Sequence, residues 1–181
     1  EQLEATYLQL YRENRRLMEY LHELDIPLPQ GFTLAAGFLV NRSLSRAVAT
    51  LVEKESDGEA IEGVLAEARK WRVSLSTSGV EGQLCNAIES HITALLSDPL
   101  SGRGVTAVHL LEIGERLGVG LDLWWAQTVF AQVCHRHLRA LLSRRRHEEP
   151  VAHQVTLLRR LGERLGFCAV EGISLDTWDT F

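Results

Sequence analysis

The chain has 181 residues, of which 45% are hydrophobic and 24% are charged, and its formal net charge at pH 7 is −5. This length is sufficient for one domain with a sizeable core, and the composition is that of an ordinary globular protein. The acidic balance argues against a nucleic-acid partner, because such binders carry a surplus of lysine and arginine. No apolar run reaches the roughly 18 to 20 residues that cross a bilayer, so we also expect no membrane partner.

The cysteines and the start of the sequence indicate the cellular setting. Cys85, Cys134 and Cys168 are too few and too dispersed to form a disulfide framework, so we expect a reducing, cytoplasmic compartment. The sequence begins at Glu1 with a helical pattern already under way. We therefore expect a C-terminal fragment of a longer protein.

The most regular pattern lies in the first predicted helix, residues 1–25. Its apolar residues, with one asparagine among them, are separated alternately by four and three positions: Leu3, Tyr7, Leu10, Asn14, Leu17, Leu21 and Leu24. This spacing predicts a seam that buries one helix face, with Asn14 fixing the register. A seam of this kind can also lie between two chains, so the sequence allows a homodimer. Two prolines, Pro27 and Pro29, end the helix.

The rest of the chain carries helical periodicity and very weak strand signals. Further helices are predicted at residues 29–55, 56–73, 78–98, 105–117, 122–146 and 150–165. A Ser-x-x-Glu spacing at Ser56 and again at Ser78 indicates capping boxes at two helix starts. We predict an all-α fold, a single-domain antiparallel bundle or array of about seven helices over residues 1–181. An irregular tail, residues 166–181, is expected to lie back across the bundle.

Potential metal ligands occur close together at Cys134, His135 and His137. Cys134 and His137 can share a helix face, but a zinc site requires four ligands, usually in pairs from two segments. The second pair would be Cys85 and His91, whose separation of six residues is a poor geometry on a helix. We therefore interpret Cys134 as a core cysteine beside a half-buried histidine, and we predict no metal.

Sequence motifs for catalysis do not occur either. Glu19-x-x-His22 is one half of a di-iron bundle motif, but the chain contains no second copy of it. The nucleophile elbow, the phosphate-binding loop and the dinucleotide-binding glycine motif have no match. No pair of carboxylates stands out as an acid and a base across a sugar ring. The sequence predicts neither a catalytic residue nor a cofactor.

Two adjacent tryptophans open the helix predicted from Asp122, which is a good N-cap residue. At about 100° per residue, Trp124 lies at the edge of the apolar arc and is predicted to be core. Trp125 points into a polar sector with Gln132 and Arg136. Its ring either packs under a loop or the tail, or is exposed to a sugar or to another domain, with Gln132 and Arg136 hydrogen-bonding beside it. These three residues are the candidate ligand- or partner-binding site.

Four motifs occur in order over about two thirds of the chain: Ile26–Pro29, Ala35–Leu44, Leu65–Trp71 and Leu121–Gln127. Together they resemble the helical domain appended to certain glycoside hydrolase family 57 proteins. The resemblance implies a catalytic barrel upstream, whose glutamate nucleophile and aspartate acid cleave α-glucan-like bonds with retention. Neither catalytic motif matches a position in this sequence, so no catalytic residue is carried over. Trp125 departs from the family's pattern.

The resemblance implies a non-catalytic accessory helical domain that docks on or stabilises the catalytic barrel of its own parent chain. An α-glucan is then a further expected partner. The alternative is a free-standing helical protein–protein interaction module unrelated to sugars, which the seam of the first helix favours. An enzyme with its site inside the bundle has the least support, because no convergent set of polar residues lies on the predicted inner faces.

Overall fold

The structure is a computed structural model and describes residues 2–54, 58–144 and 149–167. Helices dominate these ranges, and no strand occurs within them, which confirms the all-α fold class. The chain divides by its internal contacts into two compact units, Glu1–Val80 and Glu81–Phe181, where the sequence predicts one domain. No helix in the described ranges is long and apolar enough to cross a bilayer.

The helices follow the predicted order closely. They are α1 Gln2–Glu23, α2 Gln30–Lys54, α3 Glu59–Trp71, α4 Ser78–Ala94, α5 Arg103–Leu117, α6 Trp124–Val133, α7 Arg139–Arg144 and α8 Glu149–Arg164. A π-helical segment, Cys134–Leu138, joins α6 to α7. The predicted helix at residues 122–146 is therefore a continuous helix with one wide turn inside it. Counted this way, the described chain has the expected seven helices.

The first unit packs α1 and α3 against α2, and α1 buries a different face from the predicted seam. Tyr11 and Met18 are the buried residues of α1, whereas Leu3, Leu17 and Leu24 are 66%, 48% and 51% exposed. The prediction that the seam is buried is therefore wrong for these three leucines. The physical reason lies in α3, because Tyr11 turns toward it to make a polar and aromatic contact.

That contact is a hydrogen-bonded cluster around the end of α3. The Tyr11 hydroxyl donates to Glu67 Oε1 at 2.6 Å and accepts from Trp71 Nε1 at 3.1 Å. The Tyr11 and Trp71 rings meet edge to face, with centroids 6.2 Å apart. Lys70 Nζ lies 4.7 Å from the centre of the Trp71 ring. Because both rings have a polar group that must be satisfied when buried, this cluster fixes α1 on α3.

Helices α1 and α3 end in the same way. Asp25 and Arg72 have positive φ values of 52° and 53°. In each case the following N–H closes the last turn, from Ile26 to Leu21 O at 2.9 Å and from Val73 to Ala68 O at 3.0 Å. This left-handed ending is common after helices, but it usually takes glycine. Arg72 Nη2 and Asp25 Oδ1 form an exposed ion pair of 2.6 Å across the two ends.

The two predicted capping boxes do not form the observed helix starts. Gly58, with φ 78°, is the N-cap of α3, and Ser56 lies outside the described residues. Ser78 is already the first residue of α4, because the Val80 N–H donates to the Thr77 carbonyl at 2.9 Å. Serine is therefore inside the helix rather than at the cap position.

The second unit contains α5 to α8 and all of α4 except its first three residues. Its fully buried side chains include Leu84, Ile88, Ile92, Leu95, Leu110, Phe130, Leu161 and Leu165. Two glycines allow close approach, since a Cβ on Gly114 would lie 2.6 Å from Leu121 and one on Gly162 would lie 3.2 Å from Phe130. On the surface, Arg160 and Arg164 of α8 pair with Glu112 of α5. These contacts hold α5, α6 and α8 around one core.

Only the first residues of the predicted tail are described. The Phe167 ring lies 5.4 Å from the Phe130 ring, measured between centroids, with the planes at 55°. Residues 168–181, with Cys168, lie outside the described ranges. The prediction of an irregular tail across the bundle therefore stays a prediction.

Candidate functional site

The start of α6 places both tryptophans in its first turn. The Asp122 carboxylate accepts a hydrogen bond from the Trp124 N–H at 3.2 Å, and the Leu123 carbonyl accepts from the Gln127 N–H at 2.8 Å. Leu123 is therefore the N-cap, one residue later than predicted. The Asp122 side chain still satisfies one of the N–H groups that a helix start leaves free.

Both tryptophans are exposed. Trp124 is 67% exposed and Trp125 is 47% exposed, so the prediction that Trp124 is a core residue is wrong. The buried face of α6 is centred on Ala126 and Phe130, and at about 100° per residue Trp124 lies almost opposite it. The predicted arc extended too far towards Trp124 because it was continued at 100° per residue beyond Val133, through the π-helical segment Cys134–Leu138.

The two rings form one apolar patch. Their centroids are 6.2 Å apart and their planes are tilted by 40°. The Thr128 hydroxyl, one turn further along, donates to the Trp124 carbonyl at 3.0 Å. Two neighbouring exposed indoles are unusual on a protein surface, where large rings are enriched at binding sites.

Gln132 and Arg136 continue this face along the helix. Both are exposed, and they line an open hollow of about 670 Å³ together with Leu96, Ala131 and His135. Trp125 is not among the residues that line this hollow. The structure thus brings two of the three predicted site residues together and places the third one turn or more away on the same helix.

A second hollow adjoins the first, and sequence reasoning missed it. It has a volume of about 380 Å³, and Trp124, Thr128 and Ala131 line one side of it, with Phe167 on the other. Gln127 Nε2 donates to the Leu165 carbonyl at 2.8 Å and ties this hollow to the end of α8. Because Ala131 lines both hollows, they are parts of one continuous surface.

We name this face the α6 surface. It consists of Trp124, Trp125, Thr128, Ala131, Gln132, His135 and Arg136. It combines two exposed aromatic rings, a small residue between the hollows, and amide and guanidinium donors. Among these seven residues no acid occurs, so the polar part of the surface favours a partner that offers carboxylate or carbonyl oxygens.

The π-helical segment contributes His135 and Arg136 to this surface and also contains the other metal-ligand candidates, Cys134 and His137. His137 Nε2 lies 2.9 Å from the Leu96 carbonyl oxygen, to which a protonated Nε2 donates. Burial raises the pKa of the Cys134 thiol to about 12, so this group stays protonated and is a poor metal ligand. Among the described residues no three His, Cys, Asp or Glu side chains lie together in a metal-binding arrangement.

A smaller hollow of about 180 Å³ lies in the first unit, at the ends of α1 and α3. His22, Asp25, Lys70, Trp71 and Arg72 contribute to its walls. Its charges are matched internally, since Arg72 pairs with Asp25 and Lys70 pairs with Glu19 at 3.3 Å. We therefore interpret this hollow as part of the packing between the ends of α1 and α3 rather than as a ligand site.

No protein-family profile, curated protein or solved structure matches this chain. The resemblance to the helical domain of glycoside hydrolase family 57 proteins stays a prediction.

Proposed function

We propose that this chain is a non-catalytic helical module that docks on a protein partner through the α6 surface. The observation that carries the proposal is the pair of exposed rings, Trp124 and Trp125, at the start of a helix whose opposite face is core. Tryptophan and arginine are the residues that contribute most often to binding energy at protein interfaces. Arg136 lies on the same surface.

The surface has the composition of an interface centre with a polar border. Covering the two indoles would remove apolar area from water, which contributes about 25 cal/mol per Å² before the costs of association. Gln132 and Arg136 lie further along the helix and are exposed. They supply hydrogen-bond donors at the border of the interface, where the geometry of such bonds contributes to specificity for one partner.

The ionisable groups of the described residues are consistent with a binding role. Burial raises the pKa values of the Cys85 and Cys134 thiols, which lowers the fraction of the reactive thiolate form in both. Glu112 and Glu115 form ion pairs with Arg164. These two carboxylates therefore stabilise the packing of α5 on α8.

For the identity of the partner, we propose the catalytic barrel of a carbohydrate-active parent chain. The order of the sequence motifs supports this choice, since the domain they resemble is appended to such a barrel. The module would then stabilise the barrel or cover one edge of its sugar cleft. The alternative is a helical interaction module that binds a different protein through the same α6 surface. The two proposals differ only in the partner.

The test is the affinity of the chain for a purified family 57 catalytic barrel, measured by calorimetry. Trp124→Ala and Trp125→Ala should each weaken binding at least tenfold, which corresponds to about 1.4 kcal/mol or more. Val105→Ala is the matched control, because Val105 is another exposed apolar residue of the second unit, at 53%. No binding by the wild type would refute the barrel as partner, and equal binding by all variants would refute the surface.

A sugar ligand is the second candidate, and the hollow beside Trp124 favours it. Thr128 and Gln127 place polar groups next to an exposed indole there, an arrangement that suits a ring with hydroxyl groups. We expect malto-oligosaccharides to change the tryptophan fluorescence of the wild type and not that of Trp124→Ala. A flat titration in the folded wild type would leave the protein partner as the only ligand of the α6 surface.

A further inference from the structure

Helix α1 carries a second exposed apolar feature, on the face that the core does not use. Leu3, Leu17, Leu24 and Tyr20 are 66%, 48%, 51% and 59% exposed, and Leu10 is half-buried. We name these five residues the α1 stripe. They form a line of largely exposed apolar side chains along the helix and, at Leu24, into the turn that follows it.

The leucines of the α1 stripe recur every seven residues, at positions 3, 10, 17 and 24. A strict seven-residue repeat is the pattern by which one helix packs along another. Helix α1 has 22 residues and is therefore about 33 Å long, enough for such packing over three repeats. Tyr11 and Met18, which anchor α1 in its own unit, lie about 100–125° around the helix from the centre of the stripe.

Charged residues beside the stripe select the direction of a partner helix. Glu13 borders the stripe and accepts a hydrogen bond from Gln9 Nε2 at 2.8 Å, and Arg16 lies next to Glu13 on the same flank. In an antiparallel pair with the twofold axis between Asn14 and Arg15, Glu13 of each copy lies opposite Arg16 of the other. A parallel pair would place the two Glu13 carboxylates side by side.

The leucines fit the same antiparallel register. With that axis, Leu10 of the second copy falls between Leu17 and Leu24, and Leu17 of the second copy falls between Leu10 and Leu17 of the first. The side chains then interdigitate as knobs into holes rather than meeting end to end. Both the apolar repeat and the charges are thus complementary to a second copy of this helix.

We propose that the α1 stripe is a self-association surface, and that α1 pairs antiparallel with α1 of a second copy of this chain. The partner is the same helix because only the twofold arrangement satisfies Glu13 and Arg16 reciprocally while filling the spaces between the leucines. The proposal is independent of the α6 surface, which lies in the other unit.

The first test is the sedimentation of the full chain across the low micromolar range. We expect a dimer for the wild type and a monomer for Leu17→Glu, while Leu100→Glu, an exposed leucine of the second unit at 43%, stays dimeric. Leu17 is exposed, so circular dichroism should report an unchanged fold for its variant. A monomeric wild type, or a dimer that Leu17→Glu leaves intact, would overturn the proposal.

The charges provide the second test, which also fixes the direction. Glu13→Arg and Arg16→Glu should each weaken dimerisation at least tenfold, and the two changes combined in one chain should restore it. In a parallel pair Glu13 would lie opposite its own copy, so Glu13→Arg would exchange one pair of like charges for another and have little effect. Single variants that dimerise with the same affinity as the wild type would therefore refute the antiparallel pairing. Trp125→Ala, a change in the α6 surface, should leave the dimerisation affinity unchanged.

Discussion

At the scale of single residues, the Tyr11 hydroxyl links two helices. It donates to Glu67 and accepts from Trp71, so Tyr11→Phe leaves the indole N–H and the carboxylate without their shortest partner. We expect a loss of about 1–2 kcal/mol in the free energy of unfolding. Urea denaturation measures this as a lower midpoint at unchanged slope. Tyr20→Phe is the control, since Tyr20 is exposed and its hydroxyl should contribute nothing measurable.

The same hydroxyl makes the stability depend on pH. Burial, and then the hydrogen bond to Glu67, raise the pKa of Tyr11 to about 12 from its usual value near 10. A raised pKa means that the stabilisation is complete below pH 10 and is lost as the pH rises through 12. The wild type should therefore lose more stability than Tyr11→Phe between pH 10 and 12. Equal losses for the two proteins would contradict this role.

Gln154 is a buried residue whose polar group is expected to lower the stability of the fold. Its side chain is 6% exposed, and within the described part of the chain its Nε2 atom has no hydrogen-bond partner. A buried donor without a partner costs about 1–3 kcal/mol. We expect Gln154→Met, which keeps the length of the side chain, to raise the thermal midpoint. An unchanged or lower midpoint would mean that the amide is satisfied in solution.

At the scale of helices, two glycines in helix interiors should respond in opposite directions to the same change. A Cβ on Gly162 of α8 would lie 3.2 Å from the buried Phe130 ring, whereas a Cβ on Gly82 of α4 meets nothing within 4 Å. Gly162→Ala should destabilise by about 1–3 kcal/mol through overpacking. Gly82→Ala should stabilise by about 0.5–1 kcal/mol, since alanine is the better helix former.

Thermal unfolding of both glycine variants checks this pair, and each serves as the control of the other. Destabilisation by both changes would mean that α4 is not a regular helix at Gly82. Stabilisation by both would mean that α8 and α6 are further apart than the contact between Gly162 and Phe130 requires.

The same scale explains what the sequence could predict. Helix order and most boundaries follow from periodicity and from breakers such as Pro27 and Pro29, because these signals are local. The error at Trp124 arose because the predicted apolar arc was continued through the segment Cys134–Leu138, whose π-helical turn breaks the count of 100° per residue. Gln132 and Arg136, which the sequence places in a polar sector, are exposed, since burying a polar or charged side chain is costly.

Other features depend on distant residues and have no local signal. The seam of α1 looks like a face to be buried, but Tyr11 and Met18 are the residues that are buried, and the hydrogen bond between Tyr11 and Trp71 depends on a residue 60 positions away. The π-helical turn follows from how α6 packs, with His137 reaching the Leu96 carbonyl, and periodicity cannot predict it. The hollow beside Trp124 needs Phe167, which lies far along the chain.

At the scale of the whole molecule, two exposed apolar surfaces stand out among the described residues. The α6 surface and the α1 stripe lie in different units and have different chemistry, one aromatic with amide and guanidinium donors and the other leucine-rich. We therefore expect two separable interactions, one with a protein or sugar ligand and one with a second copy. Variants of either surface should leave the other interaction intact.

The most direct test of the α6 surface is ¹⁹F NMR of the chain labelled with 5-fluorotryptophan, with signals assigned by single Trp→Phe substitutions. Trp71 is 3% exposed and serves as an internal reference. On addition of the catalytic barrel, the signals of Trp124 and Trp125 should shift or broaden while that of Trp71 stays fixed. Binding that leaves the Trp124 and Trp125 signals unchanged, or the absence of any binding, would contradict the account.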